Sequence, residues 1–268
     1  MSVRLDAHNH FTTRSLVLPY RAVVNNVARF LGIGGICGFA NFADRRFEAW
    51  VDQAPDNTPD FGNAIYDTER GIWVIKGEEV RTRSGDLLIL ALPHGEPPEH
   101  EKPFEYTLEY ATDHKGIVIG TELFSRSKIG ETLRRRPKLL GKFDAIQVHD
   151  AQLLPWQNWA SQRFYNDIKD DYPNIGQLSC TDDHFWRPGV SYNTVDAMDP
   201  SAIQDSDGVT SALRQRIRQS RDPEKMHKRY APLRALHHVA AMAYCMTALK
   251  VGRRPGDKEA HLPEPERN

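Results

Sequence analysis

The chain opens MSVRLDAHNH, which places Asp6, His8 and His10 close together at its start. In a strand, alternate residues share a face, so the two histidines are expected to point the same way, and Asp6 with them. Two imidazoles side by side at a strand end can hold one divalent cation from adjoining coordination positions. Residues of the same kind recur along the chain: Glu78 and Glu79, Asp86, His94, Glu122 near Arg126, His149 and Asp150, then Asp182, Asp183 and His184. A cation held by imidazoles and carboxylates lowers the pKa of a bound water and polarises the bond under attack, so the chemistry implied is metal-assisted hydrolysis. Each acidic residue alone could cap a helix. Ligand-type residues after one strand upon another point instead to a metal or phosphate site.

Such residues work together only if the fold gathers them. Strands are expected near residue 3 and from residues 34, 71, 86, 116, 143 and 175. Helices are expected over 19–31, 42–53, 104–114, 127–136, 155–171, 210–220 and 222–250. Several strand runs, DLLILAL and GIVIG among them, are apolar throughout, which suits strands covered on both faces in a parallel sheet or barrel. The alternation of strands with helices argues for an α/β architecture with right-handed crossovers. In such folds ligands bind at the carboxyl ends of the strands, where these polar residues fall. One domain is expected over 1–251, with 222–250 as a C-terminal helical extension and 252–268, rich in Pro and charge, as a disordered tail. Trp156, Trp159 and Phe164 are expected to give one helix an apolar face for core packing, and His237 and His238 to pack within an apolar helical run.

Composition narrows the function classes. The 268 residues include 35 basic and 36 acidic ones, a formal net charge of −1, so there is no bulk attraction to nucleic acid or membrane. No apolar run approaches the roughly 18 residues that span a bilayer, and no charged-then-apolar leader begins the sequence. Cys37, Cys180 and Cys245 are scattered and match neither a disulfide framework nor paired zinc ligands, so a reducing, cytoplasmic setting is expected.

Four segments resemble the PHP (polymerase and histidinol phosphatase) family of metal-dependent phosphoesterases. DAHNH is similar to the family's opening D-x-H-x-H strand, and WVIKGEEVRTRSGDLLILAL to its strand, G-x-E, short turn and second strand. FDAIQVHDAQ resembles its late strand with an acidic turn, and LSCTDDHFWRPGVSYNTV its terminal S-D-x-H segment; SAIQDSDGVTSALRQRI resembles the closing helix. The resemblance covers roughly residues 1–220. It implies a distorted (β/α)7 barrel with one to three divalent metals at the carboxyl rim.

On this resemblance His8 and His10 are the opening ligands, Glu79 is the G-x-E carboxylate, and Asp182 and His184 are the final pair. Glu79, Asp182 and His184 are also the expected catalytic groups, and Glu122 and His149 are further candidate ligands. Arg126 and Arg187, at rim positions, are expected to bind the phosphate of a small phosphorylated substrate. Three family histidines are replaced: Asn41 and Asp44 stand where Asp-His is usual, Thr121 and Glu122 where His-Pro is usual, and Asp86 where a His is often found. Mn2+, Zn2+, Fe2+ or Mg2+ is the expected cofactor, and oxygen in place of nitrogen shifts the preference toward manganese or magnesium. The expected function is a metal-dependent phosphoesterase. The alternatives are a binding or regulatory module on the same barrel and a metal-dependent C–N hydrolase.

Overall fold

The computed structural model describes residues 1–13, 16–41, 45–95, 97–125, 129–182, 184 and 187–230. Its strands are β1 (Ser2–Asn9), β2 (Thr12–Thr13), β3 (Leu16–Val17), β4 (Ile36–Asn41), β5 (Ala64–Asp67), β6 (Ile72–Thr82), β7 (Gly85–Leu90), β8 (Ile117–Gly120), β9 (Ala145–Asp150), β10 (Gly176–Cys180), β11 (Tyr192–Asp196) and β12 (Met226–His227). The helices are α1 (Tyr20–Leu31), α2 (Arg46–Val51), α3 (Phe104–Asp113), α4 (Ile129–Arg135), α5 (Pro155–Ile168) and α6 (Ser206–Gln219). The expected helix over 222–250 begins instead with a 3-10 turn at Pro223–Lys225 and then β12. Its remainder, with His237 and His238, and the tail over 252–268 lie outside the described residues. Among the described residues no helix is long and apolar enough to cross a membrane.

The main sheet runs β10-β9-β8-β7-β6-β4-β1-β11-β12, with β5 pairing the first part of β6 on the edge that β7 takes further along. It is mixed rather than parallel, because β6 and β7 form an antiparallel hairpin. Only Arg83 and Ser84 join them, too short a link for the crossover that parallel strands require. The hairpin reverses β7, so Asp86, at its start, lies toward the carboxyl ends of its neighbours, while His94 follows its other end and sets its ring beside Phe47.

The sheet curls into a nearly closed barrel, and side chains stitch its seam. Asn193 on β11 accepts the Ser179 N–H at 2.8 Å and donates to the Gln177 carbonyl at 3.1 Å, taking over backbone groups that no ladder pairs. Higher on the seam Asp182 donates its N–H to the His8 carbonyl at 2.9 Å. Val3, Leu5, Ala7, Trp73, Leu88, Ile119 and Leu178 fill the interior. Helices α3, α4 and α5 cover one outer side, and α1 and α2 another. This double burial is why the strands read as continuous apolar runs.

Helix α6 plugs the amino end of the barrel. Val209, Leu213 and Ile217 join the interior cluster. Arg214 pairs with Asp144 at 2.7 Å and donates to the carbonyls of Lys115 and Gly116, at the starts of β9 and β8. Among the described residues the barrel is thus closed at its amino end by α6.

Candidate metal centre

β1 departs from simple alternation. Val3, Leu5 and Ala7 face the interior, so a regular strand would turn His8 outward. β1 holds one residue more than β4 between the pairs Asp6–Cys37 and Asn9–Phe39. The bulge resets the parity, and both His8 and His10 reach the mouth of the barrel. β4 crosses tightly here: a Cβ on Gly38 would lie 2.0 Å from the Ala7 carbonyl oxygen, so only glycine fits. Asp6 does not join the histidines as expected. Its carboxylate accepts the Thr181 N–H at 3.0 Å and the Gly189 N–H at 2.7 Å, tying β1 to the loop after β10. Burial raises its pKa to about 6, against those hydrogen bonds.

The two imidazoles meet two carboxylates. Nε2 of His8 and Nε2 of His10 are 3.1 Å apart. Oδ1 of Asp182 lies 3.5 Å from the first and 3.2 Å from the second. Glu79 places Oε2 at 3.4 Å from His10 Nε2 and Oε1 at 3.9 Å from His8 Nε2. Donors bound about 2.1 Å from one ion stand roughly 3.0–3.4 Å from each other, so His8, His10 and Asp182 suit a single divalent cation, and Glu79 flanks this trio with its two oxygens toward the two histidines. His184 stacks on His10 with ring centroids 4.3 Å apart and sets Nε2 at 3.3 Å from Asp182 Oδ1. Its side chain is 40% exposed and opens to solvent.

A second trio adjoins the first. Ligand oxygens of Glu122, Asp150 and Asp182 lie within 4.8 Å of one another, as do the donor atoms of His8, His10 and Asp182. Asp182 is common to both. It adopts φ 51° and Glu122 φ 45°, left-handed conformations that cost a non-glycine residue and that cluster at functional sites.

The electrostatics follow from crowding carboxylates in a buried space. Burial, then the charges of Asp86, Asp182 and Glu122, pushes Glu79 well above the usual carboxylate range. Burial and Asp182 raise Glu122 to about 7. Burial, then Asp182 and Glu122, raises Asp150 well above its ordinary value. Asp182 goes the other way: burial pushes it up, but His8, His184 and His10 overcome that and hold it well below. Burial and the neighbouring His184 lower His10 to about 3, which leaves a neutral imidazole. A cation would relieve the repulsion among these carboxylates.

His149 is not brought to this centre. β9 holds one residue more than β10 between the pairs Gln147–Leu178 and His149–Ser179. Beyond this bulge Asp150, not His149, faces the centre. His149 instead sets Nε2 at 3.0 Å from the Arg229 carbonyl and its ring on Tyr230. Arg187 is exposed on the loop between β10 and β11, and Arg126, Asp183 and Asp44 lie outside the described residues. Asn41 is buried at the end of β4, paired in register with the outward-facing Glu78. Trp156 and Trp159 do not pack inward as expected: they are 64% and 63% exposed, while Phe164 of the same helix is buried. Sequence reasoning passed over Asp150 in favour of its neighbour, and passed over Gln147 altogether. The signal for Gln147 was a lone amide inside the apolar strand AIQVHD.

The chain matches no protein-family model and no curated protein. Among solved structures it is similar to a two-domain protein containing a predicted PHP-like metal-dependent phosphoesterase from Bacteroides vulgatus, at TM-score 0.52 and 14% identity, over 84% of this chain and 64% of that one. It is also similar to an amidohydrolase from Chromobacterium violaceum with bound sulfate and no metal, at TM-score 0.45 and 13% identity, over 72% and 92% of the two chains. A protein from Bifidobacterium adolescentis described as a metal-dependent phosphoesterase aligns at TM-score 0.45 and 11% identity, over 78% and 95%. The chain therefore spans under two thirds of the Bacteroides protein, and what that likeness shows is the fold: a distorted α/β barrel of the PHP type.

Proposed function

We propose that this chain is a metal-dependent hydrolase of phosphate esters, its cation held by His8, His10, Glu79 and Asp182. The observation that carries the reading is the spacing of their donor atoms: 3.1 Å between the imidazole nitrogens, and 3.2 Å and 3.5 Å from these to Asp182. Two unprotonated ring nitrogens at that distance repel unless a cation or a proton lies between them. When bound, the cation activates a water and neutralises charge developing on phosphoryl oxygens. Glu79 and Asp182 hold the two imidazoles in place and balance the added charge. His184, exposed and ion-paired to Asp182, carries a proton at Nε2 between the leaving group and solvent. Glu122 and Asp150 offer oxygens to a second cation that shares Asp182, and oxygen donors favour Mg2+ or Mn2+. Arg187 and Arg126 are the proposed anchors for a small phosphorylated substrate.

A second reading, hydrolysis of a C–N bond, is favoured by the carboxylates that crowd the mouth, because a rim rich in Glu79, Asp86, Glu122, Asp150 and Asp182 suits a neutral substrate better than an anion. The test is metal content after purification and calorimetric uptake of Mn2+, Mg2+, Fe2+ and Zn2+. A panel of phosphomonoesters, phosphodiesters and amides follows at matched loading. Turnover of phosphate esters supports the first reading and turnover of amides alone the second. Metal uptake with no turnover leaves a binding module, and no uptake of any metal ends the metal reading.

A further inference from the structure

Gln147 is 2% exposed in the middle of β9, and its side chain touches one residue of each trio, His8 and Asp150. Its Oε1 lies 3.1 Å from His8 Nδ1, and its Nε2 donates to Asp150 Oδ2 at 2.8 Å. The direction of this relay follows from donor and acceptor chemistry. Once Asp150 is ionised, as at the alkaline pH of the test below, its carboxylate only accepts, so the amide nitrogen faces Asp150 and the amide oxygen faces His8. That oxygen also only accepts, so His8 must carry its proton on Nδ1 and present a lone pair at Nε2. Nε2 is the nitrogen that faces His10, Asp182 and Glu79.

The far end of the relay is held firmly. Asp150 Oδ1 accepts the Gln152 N–H at 2.7 Å. Asn158 accepts the Asp150 N–H at 2.9 Å and donates to the Asp150 carbonyl at 2.8 Å. The amide of Gln147 is therefore oriented by a fixed carboxylate rather than by His8 itself.

We propose that Gln147 is a positioning residue: it locks His8 in the tautomer whose Nε2 binds metal, and it couples that ligand to the Asp150 carboxylate of the second trio. The role rests on the proposed metal centre, but the tautomer is a property of the metal-free protein and is measured without activity.

The experiment is 15N NMR of histidine-labelled, metal-free full-length protein at alkaline pH, where imidazoles are neutral, with His8 assigned through His8→Asn. Wild type is expected to show His8 protonated on Nδ1. Gln147→Met, of similar length without the amide, is expected to lose that preference. Gln147→Glu, which keeps an acceptor on Nδ1, is expected to restore it. Calorimetric affinity for Mn2+ or Zn2+ should fall about 10- to 100-fold in Gln147→Met, the usual cost of losing an outer partner of a ligand. A wild-type His8 protonated on Nε2 overturns the proposal. So does an unchanged tautomer, or an unchanged metal affinity, in a Gln147→Met protein that melts like wild type. The expected tautomer in wild type, with no metal bound by any form, overturns the metal centre and with it the positioning role.

Discussion

At the amino end of the barrel, α6 lays Val209, Leu213 and Ile217 on the interior cluster, and Arg214 ties the starts of two strands together. At the carboxyl end the same sheet finishes in Glu79, Glu122, Asp150 and Asp182, crowded until three of the four have raised pKa values, with two of them in left-handed backbone. The lower end is organised for stability and is packed with apolar side chains. The upper end holds charges that repel one another and backbone that costs energy, and the rest of the fold must sustain both. The contrast teaches where to look for chemistry: in the part of the molecule that a purely structural design would have neutralised.

Paired variants at the two ends should separate these roles most widely. Leu213→Ala, in the plug, should cost about 2–5 kcal/mol of unfolding free energy and leave metal affinity unchanged. Asp182→Asn, at the mouth, should weaken metal uptake more than about 100-fold, beyond the loss expected for an outer partner, while the metal-free protein stays folded. Urea denaturation and calorimetric titration of both variants check this. Similar losses of metal affinity in the two would erase the distinction.

A smaller effect should appear in the pH dependence of metal-free stability. Glu122 has its folded pKa raised to about 7, above the ordinary 4.5. A carboxyl raised in this way binds its proton more tightly when folded. Its contribution is therefore greatest below about pH 4.5, the unfolded value, and is lost as pH rises toward 7. Glu122→Gln removes that loss, so its melting temperature should exceed that of wild type by a few degrees at pH 8 and by little at pH 5. The difference between the two proteins isolates Glu122 from His10, whose lowered pKa acts with the opposite sign as pH falls below 6.5. An equal difference at both pH values would contradict the assignment.

The smallest effect should come from Arg187. Exposed on its loop, it should contribute within about ±0.5 kcal/mol to stability. Arg187→Ala should weaken inhibition by inorganic phosphate by no more than about tenfold, as expected for one solvent-screened charge. Inhibition constants for wild type and variant measure this, and a loss as large as that of Asp182→Asn would move Arg187 into the centre.

The alternation of strands and helices and the ligand-type residues at strand ends were legible from local pattern, and the barrel class from the resemblance that the motifs carry. Continuous apolar runs report burial on both faces, and helical spacing over 19–31 and 104–114 lies close to Tyr20–Leu31 and Phe104–Asp113. The choice among neighbouring polar residues was not legible. Alternation put Asp6 with His8, and His149 was preferred to Asp150. One extra residue in β1 and one in β9 reversed the faces. A bulge leaves no reliable mark in a single sequence, because it answers the register of the partner strand rather than a local preference. The seam is similar: nothing near Asn193 announces that its amide will stand in for a missing ladder, or that Asp182 will arrive at the His8 carbonyl from the far edge of the sheet. Residue type and spacing along each strand thus determined what chemistry was available to this protein. Only closure of the barrel, which brings the last parallel strand back to the first, decided which of those side chains meet.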